Sequence, residues 1–225
     1  MTSESAKFYS GGIDLRDRNS SRTKIVDLVG ESKRVLEVGC AGGYMSQFLS
    51  RERGCRVTGI EINPLAAREA AAHCEAVIIG DVEAAAFEKL VGTFDVIIFA
   101  DVLEHLRDPL RVLRNAAAFL SNGGLVIVSL PNVAHWEVRR ALLFGRFDYA
   151  PTGILDDTHL RFFTYDTALT LVREAGYDIA GFDLVFRGPR HWKYDTFYRQ
   201  WERKSHWLVM RCFRGLFGYQ FIFTL

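Results

Sequence analysis

Short apolar runs that are typical of buried β-strands alternate with segments of helical periodicity along the first two thirds of the chain. The runs occupy residues 35–38, 56–60, 76–80, 94–100 and 125–130. Strands that alternate with helices are joined by right-handed crossovers, so they form a parallel sheet that helices cover on both faces. The sequence therefore predicts an α/β fold with a doubly wound, mostly parallel sheet.

Capping residues and turns predict where several helices begin and end. Asn63 and Asp108 are each followed by proline, an arrangement that favours a helix start. The helix after Asp108 is predicted to run to Leu120 and to end at the Asn-Gly-Gly sequence that follows it. Residues 216–224 are predicted to form a last strand, antiparallel to residues 179–186.

Length and composition exclude several classes of protein. The chain has 225 residues, of which 49% are hydrophobic, so it can build the core of a single large domain spanning 1–225. Its 28 Lys and Arg residues balance 27 Asp and Glu residues, which argues against a general nucleic-acid binder. The four cysteines form no C-x-x-C pair, and the polar start of the chain lacks the apolar core of a signal peptide. We expect a cytoplasmic protein with reduced thiols.

A glycine-rich turn follows the first predicted strand. Residues 37–43 read Glu-Val-Gly-Cys-Ala-Gly-Gly, and the second predicted strand ends in Glu61, 24 positions after Glu37. Glycines at such a turn let the backbone approach a ligand closely, although tight turns use glycine everywhere. An acid at this distance can accept hydrogen bonds from both hydroxyls of a ribose. Together, the turn and Glu61 predict a cofactor that contains a nucleoside.

The spacing of this turn separates two families of nucleoside-binding proteins. The dinucleotide fingerprint G-x-G-x-x-G fits poorly, because Ala41 and Tyr44 occupy its second and third glycine positions. The spacing E-x-G-x-x-x-G resembles motif I of the class I S-adenosylmethionine-dependent methyltransferases. Ala41 is one departure, since glycine is commoner there, and we expect its methyl group to be tolerated if its φ is negative.

Further motifs extend the resemblance over residues 34–131 and, more loosely, to Tyr177. Asp81 follows the third strand at the position that contacts adenine in this family, and residues 101–105 match the fourth motif in its D-x-L-E-H form. The resemblance implies a Rossmann-like, seven-stranded sheet with an antiparallel last strand, S-adenosyl-L-methionine as cofactor and S-adenosyl-L-homocysteine as product. It implies that the donor site includes Glu37, Gly39, Cys40, Ala41, Gly43, Glu61, Ile62, Asp81, Val82, Ala100, Asp101 and Leu103.

Three histidines are candidates for catalysis. Methylation of a hydroxyl requires a base for its proton, and histidine suits that role near neutral pH. His105 and His135 follow the fourth and fifth strands, and His159 lies in a loop that could close over the site. Each is also open to the commoner interpretation as a structural histidine. The adjacent Asp156 and Asp157 are more typical of a turn or cap than of a metal site, and we predict no metal.

The segment after the fifth strand resembles a bacterial subgroup of these methyltransferases. That subgroup acts in surface-glycan and natural-product pathways and includes relatives of the ubiquinone-biosynthesis O-methyltransferases. The resemblance implies a small-molecule or glycan acceptor. We predict an N-terminal helical cap over 1–32, a cofactor-binding core over 33–131 and an acceptor-site lid over 132–164.

A basic and aromatic segment near the end of the chain is predicted to form a helical insertion over 187–214. It contains eight Lys or Arg residues against two acids. The helix could pack on the sheet through its aromatic stripe. Alternatively, its surface could meet a partner subunit, a lipid-linked glycan or the inner face of an anionic membrane.

The leading hypothesis is therefore an S-adenosylmethionine-dependent O-methyltransferase. Two rivals remain open at this point, a nicotinamide-dependent oxidoreductase on a similar sheet and a non-catalytic binding module that keeps the cofactor site. A methyltransferase for nucleic-acid bases fits less well, because residues 101–104 read Asp-Val-Leu-Glu rather than an Asn-Pro-Pro-Tyr type of clamp.

Overall fold

The computed structural model describes residues 12–187 and 213–225. The described part of the chain contains one seven-stranded sheet. Its strands are β1 (Arg34–Val38), β2 (Arg56–Glu61), β3 (Ala76–Ile79), β4 (Phe94–Ala100), β5 (Leu120–Pro131), β6 (Gly181–Phe186) and β7 (Gly218–Thr224).

The sheet has the strand order β3-β2-β1-β4-β5-β7-β6. Strands β1 to β5 pair in parallel, whereas β7 runs antiparallel to both β5 and β6. The predicted fold class, a doubly wound α/β sheet with an antiparallel last strand, is confirmed. Because β7 is antiparallel, its first residues lie beside the end of β5, where Pro131 pairs with Gln220.

Six helices that lie wholly within the described ranges connect and cover these strands, and residues 213–217 are helical as well. The six helices are α1 (Ser21–Val29), α2 (Tyr44–Arg53), α3 (Pro64–Ala70), α4 (Pro109–Ala116), α5 (Trp136–Leu143) and α6 (Tyr165–Glu174). Short 3₁₀ turns occupy Phe87–Lys89, Leu103–His105 and Ala117–Phe119. Both predicted N-caps are confirmed, since the side chain of Asn63 accepts from the backbone N–H of Leu65 at 2.9 Å and that of Asp108 from Arg111 at 3.1 Å.

The end of α4 differs from the prediction. The α-helix stops at Ala116, and Leu120 already belongs to β5, where it pairs with Phe94 of β4. The next matched pair is Val96 with Leu125, so the Asn-Gly-Gly sequence lies in an irregularity within the strand. The prediction was wrong because a bulge and a helix-ending turn use the same glycines.

Alternate residues of each strand face two separate cores. On β4, Ile97 and Phe99 belong to the core that includes α4 and α6, whereas Val96 and Ile98 belong to the core beneath α1 and α2. This alternation is the period of a strand that is buried on both faces. The centre of the sheet is therefore packed on both faces, and its carboxyl-end edge carries the loops that follow each parallel strand.

Part of the predicted organisation is not tested by this structure. Helix α1 lies within the predicted cap over 1–32. The helical insertion predicted over 187–214 falls almost entirely on residues outside the described ranges, and it stays a prediction. No helix within the described ranges combines the length and apolar character needed to span a membrane.

Candidate active site

A cavity of about 1530 Å³ opens at the carboxyl ends of the parallel strands. Ligands of open α/β sheets bind at this edge, and single-ligand pockets are generally up to about 1,000 Å³, so the cavity has room for two ligands. Ten of the predicted site residues line it: Gly39, Ala41, Glu61, Ile62, Asp81, Val82, Ala100, Asp101, His105 and His159.

The four other residues predicted for the donor site lie behind the cavity wall. Glu37, Cys40 and Leu103 are buried, and neither they nor Gly43 line the cavity. Gly43 has a φ of +78°, and a methyl group there would lie 2.8 Å from Cα of Ala70. The structure therefore places Gly43 where the turn packs against α3, so that it shapes the loop from behind.

Glu61 ties the glycine-rich turn to the end of β2. One carboxylate oxygen accepts the backbone N–H of Ala41 at 2.9 Å, and the other accepts that of Asn63 at 2.8 Å. The residue is 8% exposed, and that exposed part faces the cavity. Each carboxylate oxygen can accept more than one hydrogen bond, so Glu61 retains acceptor capacity for a ligand.

The backbone of Ala41 differs from the expectation. Its φ is +47°, in the left-handed region that favours glycine. A non-glycine residue in this region carries about 1 kcal/mol of strain. The contact between the Ala41 N–H and Glu61 holds this conformation, so the loop is shaped by the same carboxylate that lines the site.

Glu37 is buried on the opposite side of the turn. It is 3% exposed and accepts a hydrogen bond from the hydroxyl of Ser46 on α2. Burial raises the pKa of Glu37 to about 8, although the Ser46 hydroxyl opposes the shift. Glu37 is therefore a neutral acid at pH 7 that links β1 to α2.

The raised pKa of Glu37 predicts how stability depends on pH. Between its unfolded pKa of 4.5 and its folded pKa of about 8, the unfolded chain loses a proton that the folded chain retains, so stability falls as pH rises through this window. Glu37→Gln is neutral at every pH and should remove a decline of about 3 kcal/mol between pH 5 and pH 8.

Urea denaturation at the two pH values measures this effect. Glu75→Gln is the matched control, because Glu75 is exposed and paired with Arg56. A Glu37→Gln variant whose stability falls with pH as steeply as that of the parent would contradict the prediction.

Asp101 follows β4 and is held by two other strands. Its Oδ1 accepts the hydroxyl of Ser129 on β5 at 2.9 Å and the side-chain amide of Gln220 on β7. Asp101 has a φ of +55°, and its backbone N–H donates to the same Ser129 hydroxyl oxygen at 3.1 Å. Three strands thus fix one carboxylate in the cavity wall.

His105 lines the cavity, and only one of its ring nitrogens has a hydrogen-bond partner among the described residues. Its Nδ1 lies 3.1 Å from the hydroxyl of Thr158 and 3.3 Å from the Thr158 carbonyl oxygen. Because the Thr158 hydroxyl donates to Asp156 at 2.6 Å, it can only accept from His105. This pattern places a proton on Nδ1, so that in the neutral ring the lone pair is on Nε2.

His159 and Glu104 line the cavity beside His105. The two histidine rings meet edge to face, with centroids 4.8 Å apart, and Nδ1 of His159 lies 3.1 Å from the carbonyl oxygen of Ile154. Glu104 is 1% exposed, and neither of its carboxylate oxygens has a hydrogen-bond partner among the described residues. Burial raises the pKa of Glu104 well above its usual range, and the same cause lowers the pKa of His159.

The same three side chains bear on the prediction of no metal. One ligand atom from each of Glu104, His105 and His159 lies within 4.8 Å of the others, a spacing that could hold a cation. The prediction of no metal remains a prediction. Asp156, by contrast, caps the turn at Thr158, as the commoner interpretation of the paired acids suggested.

His135 does not reach the cavity. It is fully buried and its Nε2 lies 2.7 Å from the carbonyl oxygen of Arg187. Burial also lowers the pKa of His135. Its contacts are those of a structural histidine that holds the end of β6 against the start of α5.

Several cavity residues were not found from the sequence. The guanidinium of Arg22 lies 4.4 Å over the ring of Tyr44, and that of Arg187 lies 3.7 Å over Tyr219. All four residues line the cavity. Arg22 precedes the glycine-rich turn and Tyr44 follows it, and no sequence motif marks either residue. The antiparallel direction of β7, by contrast, could have placed Tyr219 and Gln220 at the cavity.

The family to which the chain belongs follows from a comparison with known proteins. The model of a methyltransferase domain matches residues 14–181, which is most of the chain and includes every strand from β1 to β5. The chain belongs to this methyltransferase family. The match, together with the strand order, confirms the predicted class I S-adenosylmethionine-dependent methyltransferase and its cofactor, and it decides against the oxidoreductase.

Two relatives of this methyltransferase share the name ubiquinone biosynthesis O-methyltransferase. It is 40% identical over 102 residues to the ubiquinone biosynthesis O-methyltransferase of Ralstonia nicotianae, which covers 43% of this chain and 42% of the relative. The chain thus aligns with less than half of that relative's length. It is 29% identical over 170 residues to the protein of the same name from Cereibacter sphaeroides, which covers 73% of this chain and 68% of the relative.

A solved structure supports the fold. The methyltransferase superposes on the magnesium protoporphyrin IX methyltransferase of Synechocystis with bound S-adenosylhomocysteine at a TM-score of 0.62 and 14% identity. The superposition covers 98% of this chain and 92% of the other. At this identity, the likeness establishes a shared fold.

Proposed function

We propose that this methyltransferase transfers a methyl group from S-adenosylmethionine to a hydroxyl oxygen of a small aromatic molecule. The observation that carries the proposal is His105, whose Nε2 has no hydrogen-bond partner among the described residues and whose Nδ1–H is held by Thr158. A hydroxyl needs a base as it is methylated, and this histidine stands on the cavity wall in the tautomer that can accept a proton.

The donor half of the cavity fits a nucleoside. Glu61 presents a carboxylate with spare acceptor capacity at the end of β2, where it would hold the ribose hydroxyls. Asp81 follows β3 on the same edge, where it would accept from the adenine amino group. Gly39, Ala41 and Asp101 would border the methionine part. When bound, S-adenosylmethionine supplies a methyl group on a sulfonium. The chain aligns the methyl donor with the acceptor and excludes water from the site.

Two tyrosine rings, those of Tyr44 and Tyr219, line the cavity. A separate aromatic cluster of Phe147, Tyr149 and Phe162 contacts His159 of the cavity wall through Phe162, with ring centroids 6.1 Å apart, but does not itself line the cavity. Stacked and edge-on ring contacts suit a flat aromatic acceptor. The name of the relatives, ubiquinone biosynthesis O-methyltransferase, supports an oxygen acceptor.

Transfer of an isotope-labelled methyl group tests the proposal. We expect label from S-adenosylmethionine in catechol or its alkylated derivatives, and none in matched anilines or in hexoses. Calorimetry with S-adenosylhomocysteine, run beside it, reports donor binding alone. Binding without transfer to any of these acceptors would favour a binding module, and transfer to the anilines alone would overturn oxygen as the target.

Three predictions from the sequence belong to this proposal. They are the cytoplasmic location, the contact of residues 187–214 with a membrane or lipid-linked acceptor, and the formation of an oligomer. Residues 188–212 lie outside the described ranges.

A further inference from the structure

Two free cysteines lie together behind the glycine-rich turn. A methyl group added at Gly59 of β2 would lie 2.6 Å from Sγ of Cys40 and 3.5 Å from Sγ of Cys74, so both sulfurs border the same small space. Cys40 is buried, whereas Cys74, just before β3, is half-buried. Gly59 thus creates the room in which the two side chains meet.

The two thiols interact with each other. The neighbouring Cys40 thiol lowers the pKa of Cys74 to about 7, against the opposing effect of burial. The same contact, with burial, raises the pKa of Cys40. The pair therefore has the polarity of a reactive dithiol, in which the more exposed sulfur carries the larger thiolate fraction at neutral pH.

Cys40 connects this pair to the donor site. It stands between Gly39 and Ala41, whose backbone N–H groups donate to Ile60 and Glu61 at 2.8 and 2.9 Å. Ala41 is in the left-handed region and depends on that contact with Glu61. Displacement of the Cys40 side chain would therefore shift Ala41. The backbone N–H of Ala41 contacts the Glu61 carboxylate, which is proposed to hold the ribose.

We propose that Cys40 and Cys74 are a peroxide-sensitive dithiol whose disulfide distorts the methyl-donor site. The inference rests on the donor placement proposed above. It assigns an oxidative modification site, with hydrogen peroxide as the oxidant, to two residues that take no direct part in methyl transfer.

The chemistry requires one peroxide for each disulfide. The sulfur of Cys74 attacks one oxygen of hydrogen peroxide, the O–O bond breaks, and a sulfenic acid and one water form. The sulfur of Cys40 then attacks the sulfenic sulfur, the S–O bond breaks, and the hydroxide leaves with the Cys40 proton as a second water. Two thiols are oxidised to a disulfide, and peroxide is reduced to two waters.

Peptide mapping and donor calorimetry on the full chain test the inference. After treatment with hydrogen peroxide, we expect a disulfide-linked peptide that joins Cys40 and Cys74. The dissociation constant for S-adenosylhomocysteine should rise about tenfold or more, which is a usual size for coupling between two sites. Dithiothreitol should restore both the free thiols and the affinity.

Two variants make the outcome decisive. Cys74→Ser should bind the donor product normally when reduced and should keep that affinity after peroxide, with its melting temperature measured to exclude misfolding. Cys55→Ser removes a buried thiol that contacts the carbonyl oxygen of Gly30, and it should respond like the parent. A Cys40–Cys74 disulfide that leaves the affinity unchanged, or stable oxidation of Cys74 without a disulfide, would overturn the inference. If the reduced chain binds no S-adenosylhomocysteine, the proposed function fails instead.

Discussion

Replacement of Glu61 by glutamine should weaken binding of S-adenosylhomocysteine about 100-fold. The carboxylate accepts from the backbone N–H groups of Ala41 and Asn63 with separate oxygens. In glutamine, an NH₂ group replaces one of these two oxygens. One of the two backbone N–H groups therefore loses its acceptor and faces another donor. The ribose hydroxyls lose the charged acceptor at the same time. Hydrogen bonds to a charged group contribute about 1.5–3 kcal/mol each, so the expected loss corresponds to one or two of them.

Isothermal titration calorimetry measures this loss directly. Glu75→Gln carries the same substitution on an exposed residue outside the cavity, and it should leave the dissociation constant unchanged. The melting temperatures of both variants separate a binding defect from a folding defect. A Glu61→Gln variant that folds and binds with the affinity of the parent would contradict the assignment of the ribose carboxylate.

The fold was predictable because its signals are local. Each parallel strand is a short apolar run, and the caps at Asn63 and Asp108 act within one helical turn. The end of α4 was missed because the register of β5 against β4 decides it, and that register depends on residues more than twenty positions apart, such as Phe94 and Leu120. A glycine pair can end a helix or bulge a strand, and only the pairing partner distinguishes them.

The position of Glu61 and Asp81 at the cavity was predictable for the same reason, since Glu61 ends a strand that the sequence marks and Asp81 follows another. Roles that depend on burial were not predictable. Glu37 and Cys40 belong to the motif, but their side chains point behind the turn, and the sequence gives no sign of that direction. The sequence could not show which of the three candidate histidines is the best candidate for a base. The burial of His135 and the contact of His105 with Thr158 both depend on segments that are distant in the sequence.

Replacement of His105 by glutamine should lower kcat about 100-fold or more, with little change in donor affinity. Its Nδ1–H is held by Thr158, which in turn donates to Asp156, so Nε2 is oriented to take the acceptor proton. General-base catalysis contributes about 10²–10⁴-fold. Thr158→Val removes only the orienting hydroxyl and should lower kcat about tenfold, a usual size for loss of a supporting contact.

The dependence of kcat on pH distinguishes a base from a structural residue. The deficit of His105→Gln should shrink at high pH, where the acceptor hydroxyl ionises without help, whereas a structural defect would persist at every pH. His73→Gln alters a histidine outside the cavity and should keep the kcat of the parent. An undiminished kcat in His105→Gln would contradict the role of His105. Loss of the parent's activity on chelation of divalent cations would contradict it as well, because Glu104, His105 and His159 would then act as ligands, with no lone pair left on His105 for the proton.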